Sequence, residues 1–167
     1  MRRWMQRWQL LGDAAQTRRL SKTGHGRMAA FTVPSADPAE LELLACWGEF
    51  ITLVDDGFDR HREPASAADV RATLEPLVAV LSGTGARGAG RTAVVAAVEE
   101  LWGRTKAGTD PQWRARFAAS YASFAEATVE EARWREMGYQ PSVREYVELR
   151  RRTITVTPLL LVAELAR

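Results

Sequence analysis

The stretch from Asp37 to Asp59 constrains the fold most, because a helix start signal opens it and a long periodic stripe follows. Asp37 is a good N-cap, Pro38 follows in the first turn, and Glu40 lies three residues after the cap. The stripe recurs at spacings of three and four residues through Leu41, Leu44, Gly48, Ile51, Asp55 and Asp59. The pattern predicts one helix of roughly 34 Å, apolar along its length and acidic at its end.

The three carboxylates at that end, Asp55, Asp56 and Asp59, carry the sharpest chemical signal. On a helix Asp55 and Asp59 share a face, whereas Asp56 is displaced by about 100°. Acids are unfavourable at a helix C-terminus, where the dipole is already negative, so a cation is the natural compensator. Hard oxygen ligands suit Mg²⁺, which also takes the oxygens of a substrate phosphate. The pattern favours a metal and diphosphate site over its alternative, a solvated acidic helix end.

Further helices are predicted from apolar periodicity and cap signals along the rest of the chain. They cover residues 4–20, 66–81, 91–106, 111–137 and 159–165. Asp110 followed by Pro111 marks the start of the fourth of these helices by the same cap-then-proline pattern. Residues 21–34 read as an irregular connection in which Phe31 faces a pocket, and residues 82–90 as a flexible loop. The β-branched run before Pro158 predicts a break or kink. Because the sequence shows neither strand alternation nor a repeat, the fold class is all-α, with residues 1–167 as one domain.

Composition excludes several classes of protein. The 167 residues are 46% hydrophobic and 26% charged, which is typical of a globular chain. There are 23 basic and 21 acidic residues, so nucleic-acid binding is not demanded and no nucleic-acid partner is expected. Cys46 is the only cysteine, which excludes an internal disulfide and suits a reducing compartment. With no membrane-length apolar run and no secretory leader pattern, a cytoplasmic protein without a membrane span is expected.

Three consecutive arginines, Arg150 to Arg152, form a second candidate site. On a helix they point in three directions, so at most one or two can face the same ligand. An inward guanidinium would grip a phosphate with two hydrogen bonds. The alternatives are a basic helix end that complements the dipole, and a nucleic-acid patch.

Aromatic residues surround the acidic stretch. Trp47, Phe50 and Phe58 lie at helical spacing, which usually means core packing. The same rings would also make an apolar, π-rich wall that holds a hydrocarbon and stabilises a cationic centre.

The remaining polar candidates are weaker. Glu126 and Glu130 lie four residues apart and could form a second carboxylate pair, but neighbouring charges favour a salt-bridged solvent face. His25 and His61 have no partner at metal-ligand spacing and are expected on the surface or in loops, while Cys46 is expected in the core.

Residues 55–59 resemble the aspartate-rich DDxxD motif of bacterial class I terpene synthases. The segment around Trp47 resembles the helix that leads into that motif. Residues 140–151 resemble the segment that carries the family's diphosphate-sensing arginine. The resemblance extends from about Trp8 to Leu165.

The resemblance implies an α-helical isoprenoid-synthase bundle whose pocket takes a linear prenyl diphosphate, with farnesyl diphosphate favoured. In that family three Mg²⁺ ions and basic residues remove the diphosphate, and the allylic carbocation cyclises against an aromatic, water-poor wall. Asp55 would be the main metal ligand and a catalytic residue, Asp59 a second ligand, and Asp56 a further member of the metal set or the holder of a basic partner.

The same resemblance makes Arg151 the catalytic, diphosphate-binding sensor. It places the family's helix break at Ile154 and Thr155. The expected pocket residues are Trp47, Phe50, Phe58, Phe31 and Thr155.

The sequence departs from the family pattern at two points. Arg60 follows Asp59 where an acidic residue is common. A second metal motif of the Asn/Asp, Ser/Thr, Glu type, at spacings of four and four, is absent from residues 1–167. The expectation is therefore the N-terminal half of such a synthase, an incomplete bundle completed by a homo-oligomer or a second chain. The alternative is a non-catalytic helical binding or assembly module derived from that fold.

Overall fold

The computed structural model describes residues 2–11, 17–18, 22–59, 65–85 and 92–166, and of Asp59 only the backbone. These residues form helices and connections, with no strand among them. The helices are α1 (Arg2–Arg7), α2 (His25–Thr32), α3 (Pro38–Asp59), α4 (Ala67–Ser82), α5 (Ala93–Lys106), α6 (Pro111–Glu136), α7 (Val143–Thr153) and α8 (Val156–Ala163). The predicted all-α class is confirmed.

The predicted cap at the start of α3 is confirmed. The Asp37 carboxylate accepts hydrogen bonds from the backbone N–H groups of Ala39 and Glu40 at 2.8 and 2.9 Å. The Glu40 carboxylate in turn accepts from the Asp37 N–H at 2.9 Å, which completes a capping box. Asp110 caps α6 in the same way, accepting from the Trp113 N–H at 2.8 Å. These starts were predictable because the cap and its donors are neighbours in sequence.

The prediction of one helix over residues 4–20 is wrong. α1 ends at Arg7, and Gln9 adopts a left-handed backbone with φ 52° that stops the helical path. Trp8 and Leu11 therefore lie beyond α1, and Ala15 and Arg19 lie outside the described residues.

The prediction of an irregular connection over residues 21–34 is also wrong, because α2 occupies most of it. Gly24, with φ 73°, lies directly before the helix, and Gly26 is tolerated in its first turn. Tertiary packing against α3 outweighs the weak local propensity. In the predicted loop at 82–90, Ser82 still belongs to α4, residues 83–85 form a turn, and the rest lies outside the described residues.

An aromatic cluster joins α3, α5 and α6. Phe117 stacks on Trp102 and Trp113, with ring centroids 5.2 and 5.3 Å apart, and meets Trp47 edge-on at 4.9 Å. The Trp47 indole N–H donates to the Thr105 hydroxyl at 2.8 Å, so this buried polar group is satisfied. α8 packs on both α3 and α6, and α7 packs on α6. The cluster thus fixes the helix that carries the acidic stretch.

In the described parts of the chain, every helix falls short of the length and apolarity that a bilayer crossing requires.

The Trp47–Thr105 hydrogen bond gives a stability prediction. Thr105→Val should lower the free energy of unfolding by about 1–3 kcal/mol, because it leaves a buried indole N–H without an acceptor. Thr73→Val is the matched control, since the exposed Thr73 hydroxyl bonds only the Asp69 carbonyl of its own helix. Urea denaturation measures both variants. Equal losses would contradict a structural role for the buried bond.

Candidate metal and diphosphate site

The last turn of α3 gathers acidic residues. Asp55 is exposed and Asp56 half-buried, and no basic residue occupies that turn. Asp59 closes the helix, so its backbone lies one turn after Asp55 on the same face, but its side chain is outside the described residues. Among the described side chains, no three His, Cys, Asp or Glu residues are grouped so as to hold a metal. Oxygen donors at the negative end of a helix nevertheless fit a hard divalent cation.

The aromatic residues expected to line a pocket differ in their exposure to solvent. Trp47 and Phe50 are fully buried, with rings edge-on at 6.0 Å, and Phe58 is buried in the same core. Phe31, at the end of α2, is 81% exposed. In this structure the three buried rings therefore pack the core, and their part in a pocket wall stays a prediction.

The three arginines of α7 point in different directions, as predicted. Arg152 pairs with Glu130 of α6 at 2.7 Å, which ties α7 to its neighbour. Arg150 donates to the Thr153 hydroxyl at 3.2 Å, one turn ahead. Arg151 is 74% exposed and forms an ion pair of 3.6 Å with Glu148 of its own helix. Glu130 is salt-bridged as predicted, although its partner comes from α7.

The predicted helix break is confirmed. α7 ends at Thr153 and α8 begins at Val156. Thr155 between them has φ 59°, a left-handed conformation that is unusual for a β-branched residue and costs backbone energy. The half-buried Thr155 therefore sits at a bend that redirects the chain two residues after α7. Its role in a pocket stays a prediction.

The start of α7 is held by an acidic cap. The Glu145 carboxylate accepts from the Ser142 hydroxyl at 2.7 Å, from the Ser142 N–H at 2.8 Å and from the Tyr139 hydroxyl at 2.9 Å. The Ser142 hydroxyl and N–H lower the pKa of Glu145, with Tyr139 adding to the effect. The same bond raises the pKa of Tyr139. The cap orients the helix that presents the arginines.

Sequence reasoning missed a polar cluster between α2 and α3. His25, expected on the surface or in a loop, is largely buried in α2, and its ring lies beside the carboxylate of Glu49 and the hydroxyl of Thr52. His61 lies outside the described residues. A glycine at position 48, inside a long helix, was the available signal, because it indicates close approach of another group.

Comparison with known proteins decides the family. Residues 46–167 match the family model described as terpene synthase family 2, C-terminal metal binding. The chain belongs to the terpene synthase family. A curated relative, the (−)-β-caryophyllene synthase of Saccharothrix espanaensis, is named as cyclising (2E,6E)-farnesyl diphosphate. It is 33% identical over 157 residues, which cover 93% of this chain and 44% of that protein.

Solved terpene synthase structures show the same fold. α-Eudesmol synthase superposes with a TM-score of 0.84 at 26% identity, covering 99% of this chain and 54% of that one. The linalool/nerolidol synthase of Streptomyces clavuligerus, in complex with 2-fluorogeranyl diphosphate, gives a TM-score of 0.82 at 26% identity, covering 96% and 54%. This terpene synthase chain thus spans about half the length of the relatives it matches.

The cap of α7 predicts a pH dependence. Because folding lowers the pKa of Glu145 below its ordinary value of 4.5, the cap should stabilise the protein fully above that value and lose its contribution as the pH falls through the folded pKa. A ¹³C NMR titration of the Glu145 carboxyl should show the lowered pKa. Ser142→Ala should raise it most and Tyr139→Phe less. A wild-type pKa at or above the ordinary value would contradict the cap.

Proposed function

We propose that this chain provides one metal- and diphosphate-binding part of a class I terpene synthase, which ionises and cyclises a linear prenyl diphosphate with Mg²⁺ and releases diphosphate. The clustering of Asp55, Asp56 and Asp59 in the last turn of α3, a turn that contains no basic residue, is the observation that carries the proposal. Carboxylates at the negative end of a helix favour a nearby cation, and the family model that this chain matches is described as metal binding.

Mg²⁺, three ions by the family resemblance, would neutralise the charge that develops on the leaving diphosphate. Asp55 would hold metal directly, Asp59 would add an oxygen from the same face, and Asp56 would bind metal or a basic partner. Arg151, exposed on α7, would donate paired hydrogen bonds to the diphosphate. Apolar and aromatic side chains would surround the carbocation and exclude water.

Farnesyl diphosphate is the proposed substrate. Support comes from the (−)-β-caryophyllene synthase, whose name states that it cyclises (2E,6E)-farnesyl diphosphate. The solved complex with 2-fluorogeranyl diphosphate supports binding of a prenyl diphosphate by this fold. A cytoplasmic location and the lack of a nucleic-acid partner stay predictions from the sequence.

The alternative function is a helical binding or assembly module that keeps the fold without turnover. The observation that favours it is the set of exposed apolar side chains on α7 and α8, which is typical of an interaction surface. Binding of diphosphate without its release from farnesyl diphosphate would support the module.

Calorimetry with Mg²⁺ and methylenediphosphonate, a diphosphate that cannot be cleaved, tests the site. Asp55→Ala should weaken binding by about tenfold or more, since one charged contact contributes about 1.5–3 kcal/mol. Glu75→Gln, an exposed acid on α4, is the control for a simple change of net charge. Unchanged affinity in Asp55→Ala, or equal weakening in the control, would contradict the assignment of Asp55 as a metal ligand. The same titration tests Arg151 as the diphosphate sensor. Arg151→Gln should weaken the affinity for methylenediphosphonate more than Arg133→Gln on α6 does.

Exposed apolar residues on α7, on α8 and at the break between them give the partner proposal. This α7–α8 face consists of exposed residues Val143, Tyr146, Val147, Ile154, Val156 and Leu160. Large exposed apolar side chains in such number are typical of an interaction surface. Because this chain covers 54% of a solved terpene synthase at a TM-score of 0.84, we assign the face to polypeptide that completes the family fold.

Charge placed on the α7–α8 face should prevent that association. The part of the (−)-β-caryophyllene synthase that this chain does not match serves as the separate partner. Val147→Asp combined with Leu160→Asp should weaken its capture by at least about tenfold. Ala119→Asp, on an exposed position of α6, is the control. Sedimentation of the chain alone shows whether a second copy covers the face instead, which would contradict this assignment.

A further inference from the structure

A buried polar cluster fastens α2 to α3. The Thr23 hydroxyl donates to one carboxylate oxygen of Glu49 at 2.8 Å, and His25 Nδ1 lies 3.4 Å from the same oxygen. The other ring nitrogen of His25 lies 3.3 Å from the Thr52 hydroxyl. The imidazole therefore contacts two residues of α3 that lie about one turn apart.

Glu49 is the unusual member, because its carboxylate is only 1% exposed. Its second oxygen makes no hydrogen bond, and neither does His25 Nδ1, so the first oxygen accepts from Thr23 and meets the imidazole through a charge contact of 3.4 Å. Burying a carboxylate is costly unless it is paired. His25 is the titratable group that faces it from α2, and Thr23 and Thr52 are the uncharged groups around the pair. Each partner thus depends on the other for its buried position.

Gly48 lets the imidazole lie directly on α3. A Cβ atom at this position would come within 2.6 Å of the His25 ring, closer than real contacts allow. Alanine is otherwise the better residue inside a helix. The glycine is therefore explained by the close approach of His25.

The face of α3 that His25 contacts is the same face that carries Asp55 and Asp59 at the end of the helix. Gly48, Thr52, Asp55 and Asp59 follow one another at spacings of four, three and four, so they share one face of the helix. His25 lies across the first two of these positions, and the carboxylates follow within two turns.

We propose that His25, held by Glu49, is a positioning residue that fixes α2 along the face of α3 that ends in Asp55 and Asp59. α2 thereby forms a side wall of the diphosphate site, although His25 itself touches neither metal nor substrate. The consequence for ligand binding rests on the proposed function, whereas the attachment of α2 does not.

Whether Gly48→Ala raises or lowers the melting temperature tests the attachment of α2 to α3 through His25. Gly48→Ala should lower the melting temperature, because the added methyl displaces His25. Gly103→Ala is the control on α5, where a Cβ meets nothing within 4 Å. The control should raise the melting temperature by about 2–4 °C. In a His25→Ala background Gly48→Ala should also become stabilising. Stabilisation by Gly48→Ala in the wild-type background would overturn the proposal.

Hydrogen exchange tests whether the contact is polar. His25→Asn keeps a polar atom near the Nδ1 position, whereas His25→Leu fills the space without one. Amides of α2 should exchange about tenfold faster in His25→Leu than in wild type, and much less so in His25→Asn. Equal protection in both variants would reduce His25 to space filling and overturn the role of Glu49.

The effect of His25 on ligand binding is measured by calorimetry with Mg²⁺ and methylenediphosphonate. His25→Leu should weaken binding about threefold or more through the displaced wall, while Glu75→Gln should not. Faster exchange of α2 with unchanged affinity would overturn the link to the site. If wild type itself fails to bind, the proposed function fails, and the attachment of α2 is decided by the melting and exchange results alone.

Discussion

The packing of α3 against α5 and α6 is the interaction on which the rest of the structure depends. Trp47 projects from α3 into the aromatic cluster around Phe117, and its indole N–H is satisfied by Thr105 of α5. Such a contact is directional as well as apolar, so it fixes the rotation of α3 about its axis. Once that rotation is set, the acidic face, the face that meets α2 and the core face are all set with it.

The acidic end of α3 breaks a local rule that the rest of the helix obeys. Its start follows capping chemistry closely, with Asp37 and Glu40 satisfying backbone donors. Its end has Asp55, Asp56 and Asp59 where the helix dipole favours cations. Departures of this kind are typical of functional or strained sites. A helix with a well-capped start thus ends in carboxylates at the negative end of its dipole.

The region from α7 to α8 combines rigid attachment with an exposed charge. Arg152 is used in an ion pair with Glu130, and Arg150 bonds Thr153 beside the break. Arg151 remains exposed, and the left-handed Thr155 then turns the chain into α8. Three chemically identical side chains thus have different surroundings because a helix sends successive residues about 100° apart.

The sequence by itself determined the helical class, the helix starts at Asp37 and Asp110, the break before Val156 and the acidic stretch with its family resemblance. Each depends on residues within a few positions of one another, where capping bonds and helical spacing operate. Only the tertiary structure decided that α2 is a helix, that α1 ends before Gln9, and that His25 meets Glu49.

Tertiary packing likewise decided that Trp47 bonds Thr105, 58 residues away. The reason is physical: a local hydrogen bond needs only neighbouring residues, whereas a partner distant in sequence is chosen by which surfaces come together when the core packs.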